Sequence, residues 1–583
     1  MSQPTATATT AVAYFSMEIG LEPTIPTYSG GLGVLAGDTI RAAADVGLPM
    51  VAITLAHRKG YFQQHLDDEG GQREEPHAWD PAARLAEVPH RTTVEVEGRL
   101  VHVRAWRYEV VGARGHVVPV YLLDTELPEN SDFDRTLTDV LYGGDTHYRL
   151  CQEVVLGMGG AGLLRELGLV HGVQHHVNEG HAALIALALL ERRLGGRSAW
   201  ELEDGDVEAV AARCVFTTHT PVPAGHDKFD RALAVQVLGD DRVTLLERSG
   251  GMSGEELNMT ELALRFSHYV NAVARRHQEV SQDMFPAYRE RIQGVTNGVH
   301  AVTWTAEPFR QLFDRHIPGW RADNFNLRHA VDIPLDEVRH AHQAAKRLLL
   351  AEVERTTGER LEASAMTIGF ARRATAYKRA DLILTDPARL RQIARNVGPL
   401  QLVFAGKAHP ADEVGKGLIR NIVRAAADLR EDVRVVYLEN YDMRLGGLLT
   451  SGTDLWLNNP MRPLEASGTS GMKAALNGVP SFSVLDGWWV EGCVEGATGW
   501  AIGDDAKLPQ DPARDIPELY LKLERTILPI FYGLPFQYAT IMRNAIAING
   551  SFFNTQRMVL QYAQNAYGVD GARVGEATEA VAG

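Results

Sequence analysis

Short, almost wholly apolar runs alternate along this chain with longer stretches in which apolar residues recur at helical spacing. The first pattern is that of strands buried on both faces, the second that of helices lying on a sheet. Their alternation predicts an α/β fold with layered, largely parallel sheets. In the first half, strands are expected at 11–17, 50–55, 118–123, 214–218 and 291–296. In the second they are expected at 367–371, 400–405, 434–438, 454–457 and 480–485, with helical periodicity between them, as at 416–429. A Pro- and Asn-bearing stretch at 317–334 separates the two series.

A length of 583 residues exceeds one ordinary hydrophobic core, in keeping with two large domains. The expected division is a disordered start at 1–10, a first Rossmann-like domain at 11–296, a second at 297–535, helices at 536–568 and a disordered tail at 569–583. The chain would cross between domains near 296–303 and 531–536, and the helix at 554–566, opened by an Asn-Thr cap, could return to the first domain. Two such sheets facing a cleft would present ligands to the carboxyl ends of their strands. The net charge of −16 disfavours nucleic acid as a partner, yet leaves room for a local basic pocket. Three widely spaced cysteines, Cys151, Cys214 and Cys493, offer neither a disulfide framework nor a paired metal motif. With no basic-flanked apolar leader and no run of about 18 apolar residues, a cytoplasmic protein without a membrane partner is expected.

Candidate chemistry begins near the start, where TYSGGLGVLAGD places Gly30, Gly31, Gly33 and Gly37 ahead of the helical pattern DTIRAAADVG. Glycines before a helix let backbone N–H groups approach an anion, although a tight turn has the same pattern. In HGVQHHVNEGHAAL, His171, His175, His176 and His181 lie close together, but their spacing matches no zinc motif. His175 and His176 open an expected strand and should point to opposite faces, so no metal is expected. More telling are NEGH (178–181) and THTPVPAGHDKF (218–229) at two strand ends, where His219 is either a structural histidine or a substrate contact. In the second half, GFARRATAYKRADLI sets Arg372, Arg373, Lys378 and Arg379 directly after a strand, a suitable place to hold phosphate. A solvated charged face is the alternative.

The most informative stretch is LNNPMRPLEASGTSGMKAALNGVPSFSVLDGWW, which reads as strand, loop, helix, strand. Glu465 lies in the loop, Gly468, Thr469, Ser470 and Gly471 surround the helix start, and Lys473 stands in its first turn. Free N–H groups there suit a phosphate, and a lysine beside them suits a Schiff base with an aldehyde cofactor. An exposed first-turn lysine is the plainer alternative. EASGTSGMKAALNG resembles the cofactor-lysine motif of the glycogen, starch and maltodextrin phosphorylases, which are pyridoxal-phosphate-dependent glycosyltransferases. YKR, LENY and TNG resemble further signatures of that family in the same order, between Tyr14 and Gly487. The resemblance is closest to the shorter bacterial and archaeal members.

That resemblance implies the GT-B architecture, with pyridoxal 5'-phosphate on Lys473. It implies reversible phosphorolysis of an α-1,4-glucan or maltodextrin by inorganic phosphate, giving glucose 1-phosphate with retained configuration. Thr469 and the backbone of Gly468, Ser470 and Gly471 would lie near the cofactor phosphate, and Tyr441 of LENY would line its pocket. Arg373 and Lys378 would bind substrate phosphate, faced by the loop of Gly30, Gly31, Leu32 and Gly33. His219, Asn297 and Glu465 would contact the transferred glucose, with Glu18 and His181 beside them. In this family the cofactor acts through its phosphate rather than as an electron sink, and substrate phosphate protonates the leaving oxygen. A homodimer is also implied.

One spacing separates this reading from its nearest rival, a glycogen-synthase-like transferase that uses a nucleotide sugar. Such enzymes commonly carry two glutamates eight positions apart, the second gripping the ribose. Here Lys473 stands eight positions after Glu465, and an ammonium can only donate. A non-catalytic glucan-binding protein on the same fold is a third reading. The chain departs from the long animal-type members in having Gly20 where they have an aromatic, Gly471 where they have Asn, and Trp488 and Trp489 where they have small residues. It also opens almost at its first strand, so their N-terminal regulatory segment is not expected.

Overall fold

The computed structural model describes residues 12–222, 225–252, 254–503 and 512–569. The expected disordered start at 1–10 lies outside these residues, as does the expected tail at 569–583 except Val569, whose N–H donates to Ala563 O at 3.0 Å. Across the first sheet the strands run Ile292–Gly294, Tyr269–Ala272, Cys214–Thr217, Gln174–Asn178, Val12–Ser16, Met50–Leu55, Val117–Asp124, Arg99–Val111 and Ala86–Glu87. The first seven are parallel, whereas Arg99–Val111 reverses and pairs antiparallel with Val117–Asp124, Ala86–Glu87 and Thr92–Val96. Every residue of Val12–Ser16 and Met50–Leu55 is buried, which is why these strands read as continuous apolar runs.

The second sheet runs Arg434–Leu438, Leu400–Ala405, Met366–Ala371, Leu455–Asn458, Ser481–Val484 and Gly499–Ile502, parallel throughout. Numbered along the chain this is the doubly wound order 3-2-1-4-5-6. Its direction of winding reverses between Met366–Ala371 and Leu455–Asn458, opening a crevice at their carboxyl ends.

Three features differ from the sequence expectation. The helix expected from Asp38 starts at Gly31 and runs to Val46, so Gly33 and Gly37 are helical residues. They are glycines because the helix packs too closely for a side chain. A Cβ on Gly33 would sit 2.7 Å from Glu18 Oε2, and one on Gly37 would strike the carbonyl of Gly20. Strands Tyr269–Ala272 and Gly499–Ile502, and the antiparallel pair Thr92–Val96 and Arg99–Val111, are not among the expected strands. A polar hairpin, Gln63–Leu66 with Gln72–Glu75, projects from the first half.

The helix Thr555–Asn565 follows a cap in which the Asn554 side chain accepts from Arg557 N at 2.9 Å. Its Met558, Val559 and Tyr562 pack with Ile40 and Ala43 of helix Gly31–Val46. Just before it the chain pairs with the earlier crossing: Val299 N donates to Phe553 O at 3.1 Å and Thr555 N to Val299 O at 3.0 Å. Among the described residues no helix is long and apolar enough to cross a membrane.

Candidate active site

At the reversal point of the second sheet, strand Met366–Ala371 runs into Arg372 and Arg373, and strand Leu455–Asn458 leads to the loop holding Glu465. The Arg372 guanidinium grips Glu465 with two hydrogen bonds, of 2.6 and 2.9 Å, and also bonds Asn458. Lys378 Nζ lies 2.6 Å from the same carboxylate. Burial works against the charge of Glu465, but Arg372 and then Lys378 outweigh it and hold its pKa at about 2. Behind it, Asp486 accepts from Glu465 N at 2.9 Å, and burial pushes its own pKa up to about 7.

Arg373 instead faces the first half, with a guanidinium nitrogen 3.2 Å from where a Cβ on Gly30 would sit. Desolvation opposes its charge, yet Tyr61, Glu18 and Tyr142 keep its pKa raised. Glu18 accepts from the Ser29 and Gly30 N–H groups at 2.6 and 3.2 Å and from Tyr142 Oη at 2.9 Å. The positive end of helix Gly31–Val46 therefore meets Arg373 across the cleft, a pairing suited to an anion. Gly31 is exposed there, Leu32 is half-buried, and Gly33 is buried under Glu18 and Tyr28.

His219 is held at both ends. Its Nε2 lies 2.7 Å from Asn178 Oδ1, and its backbone N donates to Glu179 Oε2 at 2.8 Å. Burial, reinforced by His277, His176 and His181, pulls its pKa to about 3, so at neutral pH it is an uncharged hydrogen-bonding group. Glu179 keeps this grip from a left-handed backbone, φ +68°, which costs a non-glycine residue about 1 kcal/mol or more. His181 Nε2 lies 3.4 Å from Asp227, which also pairs with Arg149 at 3.1 Å. Arg149 covers the Tyr142 ring, so His181 and Glu18 sit in one polar network. His176 is turned away, bonded to Tyr567 and Thr217, while His175 lies against Phe15 on the other face. His171 is exposed.

Lys473 lies in helix Ser470–Leu476, with Thr469 at the cap position, and is buried rather than exposed. Its Nζ sits 3.5 Å from the centre of the Trp304 ring, and Trp304 Nε1 donates to Asp38 Oδ2 at 2.6 Å. Among the described residues it has no salt bridge. Burial pulls its pKa down to about 8 against the opposing field of Asp38, so far more of it is free amine at neutral pH than for an ordinary lysine. Asp38 is seven residues beyond Gly31, a rise of roughly 10 Å along one helix. The same helix therefore faces Arg373 with its first turn and Lys473 with its second. Tyr441 stands beside Arg372, with its hydroxyl against Gly446. Asn297 is 2% exposed and its Oδ1 has no partner.

A family model for carbohydrate phosphorylases matches residues 226–495. The chain is 40% identical to a maltodextrin phosphorylase of Thermococcus litoralis, over 95% of this chain and 70% of that protein. It is 37% identical to a glycogen phosphorylase of Mycobacterium bovis, over 96% and 71%, and 34% identical to one of Aquifex aeolicus, over 95% and 86%. The chain belongs to the carbohydrate phosphorylase family.

Within this phosphorylase fold, the corner around Lys473 fits a phosphorylated aldehyde. Gly468 takes φ +87° in the turn before the helix, and the hydroxyls of Ser467 and Ser481 are buried without partners. A Cβ on Gly471 would lie 2.8 Å from the Trp488 ring, so the absence of a side chain at 471 and the tryptophan at 488 are one packing solution. The sequence pattern placed Arg372 in a basic run without separating its task from that of Arg373. It missed Trp304 and Asp38 altogether, because their contact joins residues 266 positions apart. The Trp after TNGVHAVT was the one available signal.

Proposed function

We propose that this cleft performs reversible phosphorolysis of terminal α-1,4-linked glucose in a glucan or maltodextrin, with pyridoxal 5'-phosphate carried on Lys473. The observation that carries the reading is Lys473 itself: a buried amine of lowered pKa at a helix start, where a nucleotide-sugar transferase would need an acceptor. When bound, the cofactor supplies a phosphate group able to exchange a proton with substrate phosphate. Thr469 and the backbone at 468–471 would hold that group, with Tyr441 and Trp304 beside the ring. Arg373, Lys378 and the first-turn N–H groups of Gly31, Leu32 and Gly33 would bind substrate phosphate and stabilise the charge clustered there. His219, Asn297 and Glu465 would orient the glucose. The two α/β halves, divided near 296 and 535, would wall the site from water, so that phosphate becomes the acceptor. Three free cysteines suit a reducing cytoplasm as the place of action.

The test is borohydride reduction of protein incubated with pyridoxal phosphate, followed by peptide mass mapping. A pyridoxyl adduct on Lys473 is expected, and Lys473→Ala should lose both the adduct and phosphorolysis of maltodextrin. Full activity in that variant would overturn the reading. So would the binding of ADP-glucose or UDP-glucose by a protein that takes no adduct.

A further inference from the structure

We propose that Gln64 and Gln72, two glutamines on the hairpin of the first half, are positioning residues for the phosphate site at Arg373 in the second. The inference rests on the reading that Arg373 binds substrate phosphate. Both side chains are buried, at 0% and 7% exposure, where an unpaired amide would be costly. Neither is unpaired. Gln64 Nε2 donates to Gly406 O at 2.9 Å and to Gln72 Oε1 at 2.8 Å, and its Oε1 accepts from Asn440 N at 2.9 Å. Gln72 Nε2 donates to Ala408 O at 2.9 Å and to Glu74 at 2.7 Å, and its Oε1 accepts from Ala408 N at 3.0 Å. Gln72 thus bonds both backbone groups of Ala408, as a neighbouring strand would.

The segment these amides hold is the mount of Arg373. Arg372 N donates to Ala405 O at 3.1 Å and Ala374 N to Lys407 O at 3.0 Å, so the residues flanking Arg373 hang on 405–407. Gly406 passes so close to the Arg372 carbonyl that a Cβ would collide with it. Lys407 Nζ in turn donates to Phe62 O at 2.8 Å, at the root of the hairpin. On the other side Gln64 N donates to Asn440 Oδ1 at 3.2 Å, next to Tyr441. A chain of short contacts therefore runs from the hairpin of one half, through the loop at 405–408, to the backbone of Arg373, whose side chain reaches back to Gly30 of the first half. Hairpin docking and phosphate binding should favour one another, because coupling between sites is reciprocal.

Two substitutions test this in the holoenzyme: Gln72→Met and Gln64→Met, which keep side-chain length and remove the amide. The KM for phosphate should rise about tenfold, roughly the worth of one or two net hydrogen bonds, with kcat and the KM for glucan within about twofold of wild type. An unchanged phosphate KM, or one that rises only in step with the glucan KM and a fall in melting temperature, overturns the proposal. Arg373→Ala measured alongside separates the two layers. If it leaves phosphate use intact, the underlying reading fails; if it abolishes phosphate use while both glutamine variants are silent, only this inference fails. Should neither glutamine variant fold, hydrogen exchange of the native enzyme decides. Saturating inorganic phosphate should slow exchange of the Ala408 and Asn440 amides about tenfold, and unchanged rates refute the coupling.

Discussion

Arg372 and Arg373 are adjacent and chemically alike, yet the fold gives them opposite situations. Arg372 is spent on an internal carboxylate, while Arg373 is left facing the other half of the molecule. The partner of Arg372, Glu465, carries a consequence for stability. Its pKa is about 2 in the folded protein, below its ordinary value of 4.5, so the folded state binds its proton less readily than the unfolded state. Its stabilising contribution is then fully present above about pH 4.5 and disappears as pH falls toward 2, with a full size on the order of 3 kcal/mol. Glu465→Gln should therefore be less stable than wild type at neutral pH, with a gap that closes on acidification. Denaturant midpoints from pH 7 down to pH 3 would measure this, and a gap independent of pH would count against the ion pair. At this scale the sequence revealed which residue types gather, but not their pairing, because both arginines follow the same strand.

Helix Gly31–Val46 shows what pattern reading misses one level up. Its glycines look like breakers in the sequence, but here they are thin places that let the helix lie against Gly20 and under Tyr28. Gly37→Ala should force the helix off Gly20, costing about 1–3 kcal/mol through overpacking. Because the helix start faces Arg373, the same change should weaken phosphate use. Thermal unfolding and the phosphate KM, measured together, check both halves of that expectation. The central strands were legible because burial on both faces demands unbroken apolar runs, as in Leu400–Ala405, where every residue is buried. The hairpin carrying Gln64 and Gln72 was illegible for the converse reason. Beyond the bond between its two glutamines and that of Gln72 to Glu74, the partners of these amides lie on the other half of the molecule, 336 to 376 residues away in the chain.

For the whole molecule, the segment that follows the first sheet is bonded to the chain just ahead of helix Thr555–Asn565. Val299 pairs with Asn554, and Arg557 donates to the carbonyls of Thr296 and Asn297 at 2.6 and 3.0 Å. Helix Thr555–Asn565 therefore closes the first half and steadies the loop of Asn297. Tyr562, buried on it, receives a hydrogen bond from Asn271 at 3.1 Å. Tyr562→Ala should cost about 3–5 kcal/mol and lower the unfolding temperature seen by calorimetry. An unchanged midpoint would mean that the helix adds nothing to the first half. The arrangement also sets a timetable for synthesis. The first sheet is complete at Gly294, but the helix that covers Ile40 and Ala43 leaves the ribosome about 260 residues later, on the order of 10–50 s at ordinary elongation rates. During that interval the nascent first half carries an uncovered apolar face, so a chaperone that shields such faces would find its target on the newborn chain rather than on the finished enzyme.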